Sequence, residues 1–288
     1  MSQLEPVPDE PAALATIDGD RTLVVADYHA GVEAGLRYER GIQVPSQADS
    51  RRRRLCELLD RTGADRLVVL GDLMHSIGDP GGAERGELEV LFESMPPVDV
   101  TLVKGNHDGA IESWLYETIH DRPRGRSDAT TGASALDVLP GEGGRLGDVG
   151  VCHGHSWPSP DALAADVLCM GHEHPCVRLE DEVGGSRIEP AWLRGQLDRS
   201  WVRAQSTGGE AVDEAEVDDD PVGEVETSDD AVDDPPELVV LPAFNELVGG
   251  TWINVAGQSF LSPILPGGLR SGEAYLLDGT RLGPYEAI

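Results

Sequence analysis

The sequence predicts an α/β fold, and the main observation behind this prediction is a repeated pattern of short apolar runs. Five runs of four residues each end abruptly in Gly, Asp, Asn or His, at positions 23–26, 67–70, 100–103, 149–152 and 167–170. Runs that are short, apolar on both faces and bounded by such residues are typical of buried strands. Helical segments separate the first three runs. Polar residues follow the carboxyl ends of all five runs, which is where open α/β sheets bind ligands.

Three helices are expected between and after the first strands. Ser46 or Asp49 can cap a helix that runs to Leu59, residues 84–95 form a second helix, and Asp108 can cap a third. After residue 174 the pattern changes to strands, which we expect at 176–180, 238–241, 251–255 and 273–277.

The chain divides by composition into four segments of one domain. Residues 1–20 are expected to be an N-terminal extension, 21–204 the core, 205–237 an acidic disordered insertion, and 238–288 the strands that complete the domain. The insertion is predicted because it carries 14 acidic and no basic residues, and such composition does not support a packed core.

The charge balance is extreme, with 53 acidic and 22 basic residues and a formal net charge of −31. Without the segment 205–237 the rest of the chain still carries about −17. This argues against a broad basic surface for nucleic acid, and it favours a halophilic protein whose self-repulsion is screened by salt. The acidic segment is either a solvated surface or a tail that recruits a basic partner. The arginine run 51–54 is either a solvated face of a helix or a patch that binds nucleic acid.

Neither a membrane span nor a secretory signal is expected. No apolar run approaches 18 residues, and residues 1–20 are acidic without an apolar region. The four cysteines show no C-x-x-C spacing, so we expect them to be reduced and mostly buried. These features together predict a cytoplasmic protein.

Histidines are concentrated at the ends of the predicted strands. Six of the eight fall inside five motifs, and a seventh, His75, follows Asp72 by three residues; the motifs are Asp27-Tyr28-His29, Gly71-Asp72, Gly105-Asn106-His107-Asp108, His153-Gly154-His155 and Gly171-His172-Glu173-His174. So many polar groups on one sheet edge are costly to bury unless a cation satisfies them. Alternate residues of an extended segment point the same way, so Asp27 and His29 can reach one ion, whereas a turn can aim His172 and His174 at different ions.

The five motifs, in this order, resemble those of the calcineurin-like metallophosphoesterase superfamily. Two further stretches, 27–33 and the Leu-Pro-Ala-Phe-Asn run 241–245 followed by Gly249-Gly250, are similar to a narrower branch. That branch comprises the small SbcD-related phosphoesterases, with the ligase-associated, PdeM-like enzymes among them.

The resemblance implies a four-layer α/β/β/α sandwich with mixed β-sheets and two divalent metal ions. One ion is expected on Asp27, His29 and His174, and the other on Asn106, His153 and His172, with Asp72 bridging the two. Oxygen and imidazole ligands without thiolate suit Mn²⁺, Fe²⁺ or Zn²⁺, and Mn²⁺ is our first expectation.

The same resemblance implies a metal-dependent phosphoric ester hydrolase, and we expect a phosphodiesterase that uses a hydroxide bridging the ions. His107 would protonate the leaving alkoxide, and Asp108 would orient His107 and keep it protonated. Nucleotide or nucleic-acid substrates are favoured, and a DNA-repair partner is implied by the resemblance only. The alternative is a non-catalytic protein-interaction module on the same fold.

Several other residues lie in or near the motifs without belonging to the expected ligand set. His75 stands where many superfamily members have Asp or Asn, so we expect either a structural role or a contact with substrate or ligands. His155 is expected near the metals without binding them, and Glu173 is expected to be solvated or to support a ligand rather than act as a base. Cys152 and Cys169 are expected in the core.

Overall fold

The first β-sheet carries the first three predicted strands. The computed structural model describes residues 4–109, 111–120, 135–181, 183–206 and 236–288. The sheet order is β1-β2-β3-β4-β5-β6; β1, β2 and β3 pair antiparallel, and β3 to β6 are parallel. The strands are β1 (Glu5–Pro6), β2 (Ala12–Ile17), β3 (Asp20–Val25), β4 (Arg66–Leu70), β5 (Asp99–Val103) and β6 (Ala135–Leu139).

The second sheet is also mixed and has the order β14-β13-β11-β12-β9-β8-β7, with β10 paired to β11. Among its described strands, only the neighbouring pairs β8–β9 and β9–β12 are parallel, and the other pairs are antiparallel. The strands are β7 (Gly144–Leu146), β8 (Val149–Cys152), β9 (Val167–Met170), β10 (Cys176–Glu180), β11 (Ser186–Leu197), β12 (Glu237–Val240), β13 (Leu269–Leu276) and β14 (Arg281–Pro284).

Helices cover the outer faces of both sheets. The helices are α1 (Val32–Arg40), α2 (Ala48–Thr62), α3 (Gly82–Ser94), α4 (Ile111–His120), α5 (Pro160–Leu163), α6 (Arg199–Ser206) and a 3₁₀ turn at Tyr285–Ala287. None of the helices in the described ranges is long and apolar enough to cross a membrane.

Three buried clusters define four layers. Alternate residues of β3 to β5, such as Leu23 and Val69, pack against α2, α3 and α4. The residues between them, such as Val24 and Val68, pack against Val151 of the second sheet. The far face of that sheet packs against α5, α6 and the C-terminal segment. This α/β/β/α arrangement confirms the expected sandwich with mixed sheets.

The five predicted strands are confirmed, but they do not belong to a single sheet edge. β3, β4 and β5 lie in the first sheet, whereas β8 and β9 lie in the second. Their carboxyl ends meet because the sheets face each other; for example, the Asp27 amide donates to the Gly71 carbonyl and the Gly171 amide donates to the His153 carbonyl.

The segment boundaries differ from expectation at both ends. Part of the expected extension 1–20 forms β1 and β2, and β2 pairs with β3 along its whole length. Of the expected disordered insertion 205–237, residues 207–235 lie outside the described residues, residues 205–206 end α6, and Glu237 begins β12. The strand expected at 251–255 is not formed, and Trp252 makes an isolated bridge to Cys176.

Candidate metal centre

The first group of candidate ligands comprises Asp27, His29 and His174. One ligand atom from each lies within 4.8 Å of the others. His174 Nε2 is 3.3 Å from Asp27 Oδ1, and the Nε2 atoms of His29 and His174 are 3.4 Å apart. This is the set that the sequence predicts for one ion, and it joins the end of β3 to the loop after β9.

The second group comprises Asp72, His153 and His172, again with ligand atoms within 4.8 Å of one another. Asn106 joins it, since its Oδ1 is 3.2 Å from His153 Nε2. Asp72 Oδ2 is 3.5 Å from His153 Nε2 and 3.7 Å from His29 Nε2. Asp72 therefore lies between the two groups, at the position that the family resemblance leads us to expect for a bridging carboxylate.

Most of these ligands have an unusual backbone conformation. Asp27, His29, Asp72, His172 and His174 have φ between +44° and +69°. L-residues rarely adopt this region, and each such residue costs about 1–3 kcal/mol unless its surroundings hold it in place. Asp27 and His29 thus converge through left-handed turns rather than through the expected extended segment. His172 and His174 do diverge to different groups, as the turn alternative requires.

Backbone carbonyls orient two of the imidazoles. His153 Nδ1 donates to the Leu70 carbonyl at 2.8 Å, and His174 Nδ1 donates to the Gly249 carbonyl at 2.7 Å. In each ring this leaves Nε2 facing the other ligands. Such outer contacts fix the tautomer of a metal-binding histidine.

The protonation states differ within the centre. Burial lowers the pKa of His29 to about 3 and that of His172 to about 4, so both imidazoles are neutral at pH 7, as metal ligation requires. Burial also disfavours a charged His153, but the carboxylates of Asp72 and Asp27 outweigh this and raise its pKa to about 9. His153 therefore holds a proton that a cation must displace.

Glycines in the motifs allow the ligands to approach. A Cβ on Gly105 would lie 2.0 Å from Asp72 Oδ1, and a Cβ on Gly71 would lie 2.1 Å from His153 Nδ1. Neither contact is possible, so both positions require glycine. The glycine that precedes one ligand thus makes room for another.

The donor set fits a pair of divalent cations. Carboxylate, amide and imidazole donors surround two adjacent positions, and Asp27, Asp72, His29 and His153 are almost fully buried. Burying so many polar groups together is costly unless cations satisfy them. Mn²⁺, Fe²⁺ and Zn²⁺ all accept this combination of ligands.

Comparison with known families agrees with this geometry. The family model described as calcineurin-like phosphoesterase matches residues 20–176, which is more than half of the chain. The chain belongs to the calcineurin-like phosphoesterase family. Members of this family are metal-dependent hydrolases of phosphoric esters that bind two divalent metals, so the protein is a phosphoester hydrolase.

Other comparisons add little to the assignment. No curated protein matches the sequence. Among solved structures, the phosphoesterase is similar to one titled "Crystal structure of Pseudomonas putida nuclease MPE", at 17% identity and a TM-score of 0.49. That match covers 97% of this chain and 100% of the other, and a likeness this distant decides neither fold nor substrate.

His107 of the phosphoesterase lies between the two ligand groups and the loop after β4. Its Nε2 is 3.8 Å from Asp72 Oδ2, and its Nδ1 contacts the carbonyl oxygen of His75. Its imidazole ring packs edge-on against that of His29 at 5.2 Å and stacks on that of His75 at 5.9 Å. His75 thus supports His107 through its backbone and its ring.

Asp108 has a different role from the expected one. Its carboxylate accepts the backbone N–H groups of Leu73, Met74 and Gly105, and it is fully buried. Burial raises its pKa to about 6 against the opposing effect of these hydrogen bonds. Asp108 holds the backbone of the turn that carries Asn106 and His107, and the ring of His107 contacts His75.

His155 and Glu173, the other two residues expected near the centre, lie outside the two ligand groups. The ring of His155 lies 5.2 Å from that of His153 and 6.0 Å from that of His172, outside both ligand groups. Glu173 is fully buried rather than solvated, and its carboxylate accepts from the Thr251 hydroxyl at 2.7 Å and the Leu261 amide at 2.7 Å. It anchors the C-terminal segment to the ligand loop.

The C-terminal motif supplies outer contacts that sequence reasoning did not assign. Asn245 Nδ2 donates to the carbonyls of Tyr28 and His29 at 2.9 and 3.2 Å. Gly249 accepts from His174, as described above, and a Cβ on Gly250 would meet the His174 carbonyl at 1.9 Å. In the sequence, the adjacent glycines Gly249 and Gly250 and the nearby Asn245 are the features that could have indicated these contacts.

Proposed function

We propose that this phosphoesterase is a dinuclear phosphodiesterase that hydrolyses nucleotide or nucleic-acid diesters. The observation that carries the proposal is the placement of His107 beside two adjacent ligand groups, with Asp72 between them. A protein that only used this fold as an interaction surface would need neither the seven ligands nor His107.

Mn²⁺ is the cation that we propose first, with Fe²⁺ or Zn²⁺ as alternatives, because the donors are oxygen and imidazole. Asp27, His29 and His174 would hold one ion, Asn106, His153 and His172 the other, and Asp72 both. When bound, the cations neutralise charge on the phosphoryl oxygens and lower the pKa of a coordinated water.

His107 is the proposed proton donor. Its Nδ1–H is engaged by the His75 carbonyl, so Nε2 is the atom that can carry a proton towards substrate. In the hydrolysis, the water oxygen bonds to phosphorus and gives up a proton to solvent, the ester P–O bond breaks, and the leaving oxygen takes the proton from His107 Nε2, which regains one from solvent. Asp108 maintains this geometry by holding the backbone of the turn.

The setting of the reaction is part of the proposal. The resemblance to the SbcD-related branch favours nucleic-acid or nucleotide substrates and a DNA-repair partner. The net charge of −31 repels DNA at low salt, so we propose a halophilic, cytoplasmic protein in which salt screens this repulsion.

The test uses two diesters whose leaving groups differ in basicity. Purified protein with Mn²⁺ in molar KCl should hydrolyse both bis-p-nitrophenyl phosphate and a dinucleotide. His107→Ala should lower turnover of the dinucleotide by at least about 100-fold, and that of the nitrophenyl ester by less, because an alkoxide needs the proton more. Metal content, measured by elemental analysis, should stay unchanged. An equal loss on both substrates would remove His107 from the role of proton donor.

A further inference from the structure

The peptide group between His75 and Ser76 lies behind the proposed proton donor. Its carbonyl oxygen accepts a hydrogen bond from Nδ1 of His107, and its N–H donates to Glu84 Oε1 at 2.6 Å. A trans peptide is planar, so its C=O and N–H groups point in opposite directions. His107 and Glu84 therefore hold the two ends of one peptide group.

The carboxylate of Glu84 is buried and engages three backbone amides. The residue is only 2% exposed. Besides the amide of Ser76, its Oε1 accepts the His75 amide at 3.2 Å, and its Oε2 accepts the Gly81 amide at 2.7 Å. All three donors belong to the backbone of residues 75–81, so this carboxylate fixes the path of that segment.

The start of α3 explains only part of this arrangement. A glutamate in the first turn of a helix commonly accepts the amide three residues before it, as Glu84 accepts that of Gly81. His75 and Ser76 lie nine and eight residues before Glu84, outside the helix, and a helix start does not require contact with them. These two contacts instead connect Glu84 to the loop that supports His107.

The side chain of Glu84 has little freedom to move away. Its Cγ lies so close to Gly31 that a Cβ on this glycine would be 2.4 Å from it. Gly31 is itself held in place, since its amide donates to Glu87 Oε2 at 2.9 Å. A side chain locked by its surroundings can maintain the geometry of the groups that it contacts.

The charge of Glu84 strengthens the contact on the far side of the peptide. The hydrogen bond to the Ser76 amide is charge-assisted, and hydrogen bonds in a chain polarise one another. The carbonyl oxygen of His75 thereby becomes a better acceptor for the Nδ1–H of His107. With Nδ1 held in this way, Nε2 lies on the side of the ligand groups, 3.8 Å from Asp72 Oδ2.

We infer that Glu84 is a positioning residue for the proton donor and acts on His107 through the His75–Ser76 peptide. The inference rests on the proposed function, because it takes His107 as the group that protonates the leaving oxygen. No proton passes along the chain of hydrogen bonds. Glu84 keeps its charge and the peptide keeps its N–H, while only Nε2 of His107 gives up a proton.

The kinetic test uses the dinucleotide and bis-p-nitrophenyl phosphate with Mn²⁺-loaded full-length protein. Glu84→Ala should lower kcat for the dinucleotide about 10- to 100-fold, because misplacement by about 1 Å can cost about 100-fold. For the nitrophenyl ester kcat should fall by less than about 3-fold, since a nitrophenolate leaves without the proton. Glu84→Gln, whose amide oxygen can still accept the Ser76 N–H, should restore most of the rate.

Two more variants separate positioning from folding. Glu84→Asp keeps a charge in the first turn of α3 but is one methylene shorter, so it should show the same selective loss, and it replaces Glu84→Ala if that variant does not fold. Glu89→Ala, at an exposed glutamate of the same helix, is the matched control and should have wild-type kcat on both diesters.

A readout that does not depend on turnover is the Nδ1–H proton of His107. It is observed by NMR in Zn²⁺-loaded protein with isotope-labelled histidine and assigned with His107→Ala. The wild type and Glu84→Gln should show this proton protected from exchange, and Glu84→Ala and Glu84→Asp should lose the protection.

Three outcomes would overturn the inference: a protected proton in Glu84→Ala or Glu84→Asp, an equal loss of kcat on both diesters, or a failure of Glu84→Gln to restore the rate. Absence of hydrolysis by the wild-type protein would instead overturn the proposed function, and the NMR readout would still test whether Glu84 positions His107.

Discussion

A buried ion triad behind the first ligand group offers a sharp test of how this metal centre is held. Arg51 is 6% exposed, and its Nε and Nη2 donate to Glu87 Oε1 at 2.9 and 2.6 Å. Its Nη1 donates to Glu33 Oε1 at 3.3 Å. The other oxygen of Glu87 accepts the Gly31 amide at 2.9 Å. Because Gly31 follows His29 by two residues, this guanidinium supports the turn that presents His29.

Replacement of Arg51 by Met keeps the apolar stem and removes the charge. Two carboxylates then stay buried without their cation, and breaking a buried pair in this way costs about 3–5 kcal/mol of unfolding free energy. The strained turn at His29 also loses an anchor, and loss of outer contacts weakens metal binding about 10- to 100-fold. We expect this weakening for the ion on Asp27, His29 and His174, whereas the other ion binds nearly as in the wild type.

Thermal unfolding and calorimetric titration with Mn²⁺ measure the two effects. The matched control is Arg53→Met, because the Arg53 side chain is 64% exposed and pairs with Asp49 on the helix surface at 3.1 Å. Such surface pairs contribute about 0.2–1 kcal/mol. Equal losses of stability in the two variants, or wild-type affinity of Arg51→Met for both ions, would show that the buried guanidinium does not support the centre.

A second variant keeps the test informative if Arg51→Met does not fold. The double variant Arg51→Met/Glu87→Gln has one buried carboxylate fewer, and the amide oxygen of Gln can still accept the Gly31 N–H. It should recover part of the stability and of the affinity for the first ion. A double variant less stable than Arg51→Met would contradict the proposed role of the charge.

Two further outcomes follow from the centre itself. Binding of Mn²⁺ at pH 7 should release protons, because nearby carboxylates outweigh burial and raise the pKa of His153 to about 9. The affinity for Mn²⁺ should therefore increase with pH up to that value. Titration calorimetry in buffers of different ionisation enthalpy measures the proton release, and a binding enthalpy that does not depend on the buffer would contradict it. Gly105→Ala should abolish binding of both ions with the fold retained, because its Cβ would lie 2.0 Å from Asp72 Oδ1 and displace that carboxylate. Circular dichroism checks the fold and elemental analysis checks the metal content. Full metal content in this variant would contradict the prediction.

The positions of the candidate ligands can be recognised in the sequence because they follow a local pattern. Each lies at or just after the end of a short apolar run, and the run itself forms a strand for packing reasons that are visible in the sequence, as at Val149–Cys152 and Val167–Met170. The spacing of Asp72 and Asn106 reflects βα units of ordinary length. What the sequence did not reveal is the left-handed backbone at Asp27 and His29, because only the surrounding contacts make that conformation tolerable.

Contacts between distant segments account for the other differences. Arg51 looked like part of a solvated arginine run, but Glu87, 36 residues later, draws it into the interior, whereas Arg53 in the same run is exposed. Strand β11 was missed because Pro190 and Gly195 interrupt its pattern, and it is defined by pairing with β10, β12 and β13. Neither outcome follows from neighbouring residues.

The metal centre also depends on residues beyond the family-matched segment 20–176. β12 pairs in parallel with β9, so without it β9 would lose its partner on the side away from β8. Asn245 holds the carbonyls of Tyr28 and His29, and Gly249 fixes the ring of His174. These contacts converge on the first ligand group, which the Arg51 triad also supports through Gly31. The strained turn at His29 is therefore stabilised by Glu87, 56 residues after Gly31, and by Asn245, 216 residues after His29, so its geometry depends on contacts that only the tertiary fold supplies.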